Sequence, residues 1–172
     1  MNNISLVPFE NQHRAALKAV RVRDDQVQFS GQPEDVIDIA LPNLDIHVIL
    51  DGSAPVGMFR IDKNYHQDHI FADSTALGLR TFLIDQAHQG RGIAKTVASQ
   101  LKEYLSHQYP TKTAVILTVN LRNSVAKNIY LHGGFIDTDA QYMAGLVGPQ
   151  HILKLPLIYT PLTPKPERCD VR

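Results

Sequence analysis

Apolar residues recur along this chain with two different periods, and the switches between them divide it into elements. Near the N-terminus the spacing is helical: Phe9, Ala16, Leu17 and Val20 predict an amphipathic helix from about Phe9 to Val22. Pro33, followed by Glu34 and Asp35, opens a second helix with proline in its first turn and carboxylates at the positive end of the dipole. That helix ends before Pro42. Two β-rich runs follow, Ile46–Leu50 and Val56–Ile61, joined by Asp51-Gly52-Ser53-Ala54-Pro55, and Asp-Gly between such runs signals a hairpin. A polar loop from Lys63 to Asp68 leads to a third run near Ile70–Ala72 and a fourth at Leu77–Ile84.

The second half alternates between the two periods. From about Gly92 to His107, Ile93, Val97, Leu101 and Leu105 recur four apart, and Ala94, Ala98 and Tyr104 widen that face. Thr113–Val119 is β-branched and mostly apolar, as a strand buried on both faces should be. Strand, helix and strand with short connections form a βαβ unit, so Leu77–Ile84 and Thr113–Val119 should pair in parallel. A short helix at Ser124–Leu131 stops at Gly133-Gly134, and two last strands are expected at Phe135–Met143 and Ile152–Tyr159. The order predicts an α+β fold with a mixed sheet in one domain, residues 1–160. Pro161, Pro164 and Pro166 mark residues 161–172 as an extended or disordered tail.

Composition narrows the classes. The chain has 172 residues, 44% of them hydrophobic and 20% charged, which suits a single folded domain. With 17 Lys and Arg against 17 Asp and Glu it is formally neutral, which argues against a nucleic-acid binder. Apolar runs such as Val48-Ile49-Leu50 are far too short to span a bilayer, and Met1-Asn2-Asn3-Ile4-Ser5 has neither the basic start nor the apolar core of a secretory signal. A single cysteine, Cys169, excludes an intrachain disulfide framework and a Cys-rich zinc module. A cytoplasmic protein with no membrane partner is expected. The charge is nevertheless uneven, since Asp24 to Phe59 holds seven acids (Asp24, Asp25, Glu34, Asp35, Asp38, Asp45, Asp51) and no Lys or Arg.

The segment that carries chemistry is Gln89-Gly90-Arg91-Gly92-Ile93-Ala94, between the end of a strand and the start of a helix. Glycines let the chain turn tightly so that successive N–H groups point into one concavity, and the helix N-terminus adds a positive partial charge. Arg91 and Lys95 bring full charges. The dinucleotide pattern G-x-G-x-x-G fails because Lys95 stands where the third glycine belongs, and the P-loop pattern lacks a second glycine at its spacing. An NAD- or ATP-binding module is therefore not supported.

Gln89, Gly92 and Ala94 instead read Q-x-x-G-x-A, which resembles the acetyl-CoA pyrophosphate loop of the GNAT acyltransferase superfamily, [QR]-x-x-G-x-[GA]. A second stretch, Asn123-Ser124-Val125-Ala126-Lys127-Asn128-Ile129-Tyr130-Leu131-His132-Gly133-Gly134-Phe135, reads N-x-x-A-x-x-x-Y-x-x-x-G-F and follows a strand ending Val119-Asn120, as it does in that superfamily. The resemblance covers about residues 45–137.

The resemblance implies a mostly antiparallel mixed sheet flanked by helices, with a central parallel pair that splays apart to admit the pantetheine arm of acetyl-CoA. By position, Leu83 and Ile84 would offer backbone groups to pantetheine and to the thioester, an Ile84-type N–H stabilising the oxyanion. The amides of Gln89, Gly90, Arg91, Gly92, Ile93, Ala94 and Lys95 would hold the pyrophosphate, Asn123 would bind pantetheine, and Tyr130 would protonate the leaving thiolate. Leu77-Gly78-Leu79-Arg80-Thr81-Phe82 lacks the strand glutamate that many relatives use as general base. Asp73, His69 and Asp85 are the candidates by proximity, or a water chain serves. His66-Gln67-Asp68-His69 is too little for a metal site, and none is expected.

The resemblance thus implies an acetyl-CoA-dependent N-acetyltransferase in which a primary amine attacks the thioester directly. Acyl transfer through cysteine is set aside because Cys169 lies in the tail. The acidic stretch falls where relatives wall the acceptor cleft, which favours a small cationic amine, with Phe29 and Tyr65 as apolar wall. The arrangement around Gln28-Phe29 and Leu79–Asp85 loosely resembles the diamine and spermine acetyltransferase branch. The alternative is a non-catalytic acyl-CoA-binding sensor or interaction domain. The acceptor, the base, the acyl-chain length and a homodimer through the second edge strand or the tail stay open.

Overall fold

The hairpin expected at Asp51-Gly52 forms the second and third strands of a seven-stranded sheet. The computed structural model of the chain describes residues 3–39 and 41–157. Its strands are β1 (Ile4–Pro8), β2 (Leu44–Asp51), β3 (Ala54–Asp62), β4 (Ala76–Ile84), β5 (Ala114–Asn120), β6 (Ile136–Tyr142) and β7 (Gln150–Pro156), in the order β1-β2-β3-β4-β5-β7-β6. All neighbours are antiparallel except β4 and β5. Asp51 pairs with Ala54, so the β2–β3 loop is Gly52-Ser53 alone, with Gly52 at φ 63°.

β4 and β5 pair only at Ala76–Ala114, Leu77–Val115 and Gly78–Ile116 and then part, as the resemblance implied. The cause is visible on the other side of β4. Its register against β3 shifts between Phe59–Phe82 and Arg60–Arg80, leaving Thr81 as an extra residue at φ 45°. A β-branched residue pays a steric penalty in that region. Arg60 secures it, donating from Nε at 3.2 Å and from Nη2 at 2.8 Å to the Thr81 hydroxyl. The bulge turns the end of β4 away from β5.

Helices α1 (Arg14–Ala19), α2 (Asp24–Ser30) and α3 (Glu34–Ile37) precede the hairpin, while α4 (Ile93–Gln108) and α5 (Ser124–His132) flank β5. As the four-residue spacing predicts, α4 buries Ile93, Val97, Leu101 and Leu105 with Val115, Leu117 and Leu153 of the sheet. The opposite face packs Leu17, Val20, Val22 and Ile37 against Val48, Met58 and Leu83. Among the described residues no helix is long and apolar enough to cross a membrane.

Several expected elements come out differently. The helix expected over Phe9 to Val22 is a single turn at Asn11–His13 followed by the short α1, because Val20 turns extended at ψ 136° and delivers Val20 and Val22 to the sheet. α2 lies separately on the acidic stretch, and the helix opened at Pro33 lasts one turn. Residues 70–72 form a turn, with Ile70 fully exposed and Phe71 and Ala72 packed near Tyr65. β1 has no counterpart in the sequence reading, its few residues showing no clear period. β7 starts two residues before the expected Ile152, and the expected end at Tyr159, the tail 161–172 and Cys169 lie outside the described residues.

His47 sits in a directional hydrogen-bond chain beneath α4. Tyr109 donates to Asp45 Oδ2 at 2.8 Å, so its oxygen accepts from His47 Nε2 at 2.8 Å, and Tyr104 donates to His47 Nδ1 at 2.7 Å. A protonated ring would set an N–H against the Tyr104 donor. Burial pushes the His47 pKa down to about 4 from its ordinary 6.5. The folded ring stays neutral over a range where the unfolded one takes up a proton, so stability is lost as pH falls below 6.5. We expect a decline of about 1.4 kcal/mol per unit from pH 6.5 to 4 in urea unfolding, and a shallower slope in His47→Gln. A second expectation concerns Gly78, where an added Cβ would stand 2.1 Å from the Tyr65 ring. Gly78→Ala should cost about 1–3 kcal/mol in the same assay by overpacking.

Candidate active site

Where β4 and β5 part, a cleft of about 780 Å³ opens between them, with α2 along one side and α5 along the other. Backbone alternation decides what faces it. Asp85 N–H donates to the Val56 carbonyl at 2.8 Å, so the backbone groups of Leu83 turn toward β3 and those of Phe82 and Ile84 toward the gap. Gly57 makes room for this, because a Cβ there would lie 2.4 Å from the Leu83 carbonyl oxygen. Leu83 thus holds the strand, with its side chain in the core, and Phe82 joins Ile84 as a gap-facing residue that the motif alone did not single out. The Ile84 carbonyl accepts from Gln89 Nε2 at 2.9 Å.

The loop after β4 bends as its glycines allow, with Gly90 at φ 74° and Gly92 at φ 77°. Gly92 is the N-cap of α4, and the first-turn amides of Ile93, Ala94 and Lys95 have no carbonyl one turn back to bond. Together with Gly90 and Arg91 they form the anion-ready end of a sixteen-residue helix. Ile93 keeps its side chain in the core, whereas Lys95 is exposed on the cleft wall. The Arg91 guanidinium reaches the β2–β3 hairpin, 3.4 Å from Asp51, so its contribution to the loop comes through the backbone. Gln89 has its N–H 3.4 Å from the Gln86 carbonyl, and its side chain ties the loop to β4.

On the far wall, Asn123 caps α5, accepting from Ala126 N–H at 3.1 Å, and its amide nitrogen keeps its donor hydrogens for other partners. Tyr130 is half-buried on the cleft, its ring edge-on to Phe82 at 5.9 Å and to Phe135 at 5.4 Å. Burial raises the phenol pKa above its ordinary value, so the hydroxyl stays a donor throughout the neutral range. Gly133 lets the end of α5 lie close against α4, since a Cβ there would strike the Ala98 carbonyl at 2.6 Å.

The candidate bases lie away from the cleft. Asp73 accepts from Thr75 in the turn before β4, and these bonds hold its pKa below the usual carboxylate value. His69 stacks on Tyr65 with centroids 3.9 Å apart, its pKa lowered by burial. Asp85 accepts from Arg21 N–H and faces His88 at 3.3 Å. Arg80, the one charged residue of β4, pairs with Asp62 at 2.8 Å and Asp68 at 3.3 Å. Of the acidic stretch only Asp25 lines the cleft, 3.3 Å from Arg23, while Asp38 pairs with Arg14 and Lys18 and Glu34 with Arg21. Gln28, Phe29, Asn120 and Gln150 also line the cleft. Tyr65, expected as wall, is instead 2% exposed beneath Gly78. Among the described residues no group of three or more His, Cys, Asp or Glu gathers to hold a metal.

Residues 12–135 match the model of the acetyltransferase (GNAT) family. A Bacillus subtilis (strain 168) protein described as the uncharacterized N-acetyltransferase YbbJ is 30% identical over 154 residues, covering 88% of this chain and 96% of that protein. Among solved structures, the aminoglycoside acetyltransferase AAC(6')-Ib with paromomycin and acetyl-CoA superposes with a TM-score of 0.71 at 17% identity, covering 89% of this chain and 93% of that one. The Vibrio cholerae spermidine N-acetyltransferase with CoA and spermine gives 0.66 at 16% identity, covering 90% and 95%.

Alanine at Gly90 or Gly92 forces a left-handed side chain at a steric cost of about 1–2 kcal/mol, or moves the loop. Calorimetric binding of coenzyme A should weaken by roughly five- to thirtyfold in either variant, the affinity equivalent of that cost.

Proposed function

The chain belongs to the GNAT acetyltransferase family, and from that premise we propose that it moves the acetyl group of acetyl-CoA to a primary amine of a small cationic molecule by direct attack on the thioester. The observation that carries this reading is the parted β4–β5 gap. It brings the Ile84 backbone, the glycine-bent loop and Tyr130 onto a single cleft.

The amides of Gly90, Arg91, Gly92, Ile93, Ala94 and Lys95 meet the pyrophosphate, and the Lys95 ammonium adds a full charge. Phe82 and Ile84 present backbone groups to the pantetheine arm, as a further strand would, and the Asn123 amide donates from the opposite wall. The Ile84 N–H receives the charge that develops on the thioester oxygen as the amine attacks. Tyr130 then donates its proton to the leaving sulfur. A phenol of raised pKa can do so because the same desolvation raises the proton affinity of a thiolate buried beside it. No carboxylate stands on the gap side of β4, and the amine sheds its proton through water.

Asp25 supports the cationic acceptor. Its pairing with Arg23 is exposed on both sides, and such surface pairs are worth about 0–1 kcal/mol, so a ligand ammonium can take the place of the guanidinium. The ligands of the two solved neighbours, an aminoglycoside and spermine, are both polycations, which supports the same class.

Thiol release from acetyl-CoA across spermidine, an aminoglycoside, lysine peptides and free amino acids tests the assignment. Turnover on a polycation is expected, and turnover on neutral or anionic amines alone would discard the role of Asp25. With an acceptor in hand, Tyr130→Phe should lower kcat by about 10²-fold or more and leave coenzyme A binding unchanged. An unchanged kcat would remove Tyr130 as the acid.

A further inference from the structure

We propose that Gln26 is a positioning residue that latches the acceptor wall to the donor loop, so that coenzyme A bound on the loop orders α2 over the cleft. The inference rests on the donor-site reading above and goes beyond it, because it concerns a helix outside both motifs.

α2 supplies Asp25, Gln26, Phe29 and Ser30 to the cleft yet has no fully buried residue, and Val27 packs only partly against the core. A helix with so little apolar burial is held by its polar contacts and opens at low cost. The contacts of α2 and of the segment leading into it converge on the connection from β4 into the phosphate loop. Gln86 N–H donates to the Arg21 carbonyl at 2.7 Å, and Arg21 N–H lies 3.4 Å from Asp85 Oδ1. The third tie joins α2 itself: Gln89 Nε2 donates to Gln26 Oε1 at 2.8 Å and to the Ile84 carbonyl at 2.9 Å. One side-chain amide therefore uses both hydrogens to join the gap-facing strand, the loop and the acceptor wall. At its other end α2 stops at Gly31, φ 69°, with no atom within 4 Å of where a Cβ would stand, a joint that can absorb movement.

Gln89 adjoins Gly90, the first glycine of the loop. A ligand that restrains the loop backbone also restrains Gln89, and through it Gln26. The coupling requires an acceptor oxygen at position 26 and does not require its amide nitrogen.

Hydrogen exchange with coenzyme A as the probe tests this on the full chain. In the wild type, coenzyme A should slow exchange both in residues 89–95 and in residues 24–30, the latter about three- to tenfold, matching the net contribution of one hydrogen bond. Gln26→Leu should keep the protection of 89–95 and reduce that of 24–30 to under about twofold, with an unchanged melting temperature. Gln26→Glu, which keeps an oxygen facing Gln89 Nε2, should restore it. Protection of 24–30 persisting in Gln26→Leu, or missing in the wild type while 89–95 is protected, would overturn the latch alone. Protection in neither segment of the wild type would overturn the donor-site reading and the latch with it.

Discussion

One extra residue in a strand governs this molecule. Thr81 has no partner on β3, and its left-handed backbone is held in place by two donors from Arg60. Three residues earlier β4 and β5 are ordinary parallel neighbours. Beyond the bulge they separate, and the backbone groups of Phe82 and the N–H of Ile84 lose the strand that would have satisfied them, while the Ile84 carbonyl takes Gln89 Nε2 instead. In a sheet interior, unpaired amides and carbonyls need a partner from water or ligand. The gap therefore exposes a length of strand edge in the middle of the protein, where a ligand with amide groups of its own can pair with it.

Everything else at the cleft is arranged around that edge. Asp85 N–H and the room left at Gly57 keep the end of β4 seated on β3 while it leaves β5, which decides that the Ile84 backbone faces the gap and that of Leu83 faces β3. The strand then runs into a loop whose glycines adopt conformations other residues resist, and the loop ends at the N-terminus of α4. α4 is the best-anchored of the described helices, with five buried residues, so the free amides of its first turn stand on a rigid support. α2, across the cleft, is tied down by hydrogen bonds. The loop side of the cleft is the more firmly packed of the two, and the α2 side rests on fewer apolar contacts.

The charge pattern changes meaning once folded. Seven acids without a neighbouring cation in sequence suggest a strongly negative surface. In space Arg14 and Lys18 meet Asp38, Arg21 meets Glu34, Lys63 meets Asp45 and Arg91 meets Asp51. Asp25 is the carboxylate of that stretch that reaches the cleft. Buried polar groups are likewise spent on structure: Asp62 accepts from Asn43, Asn64 and Arg80, and His47 joins two tyrosines.

The helix α4, the hairpin at Gly52, the strands β4 and β5 and the loop from Gln89 to Ala94 were legible in the sequence, because each rests on local patterns: four-residue spacing, Asp-Gly, β-branched runs, glycine before a helix. Asn123 and Tyr130 were legible as members of a spaced motif. The tertiary structure alone decided which backbone groups face the gap, since that depends on a bulge measured against β3. It decided that Tyr65 lies under Gly78 and that His69 stacks away from the cleft. It also broke the expected first helix, because Val20 and Val22 gain more by extended burial on the sheet than by continuing the helix. The pairing of Gln26 with Gln89, sixty-three residues apart, left no trace in composition or period, for a hydrogen bond between distant side chains is specified only when the sheet brings them together.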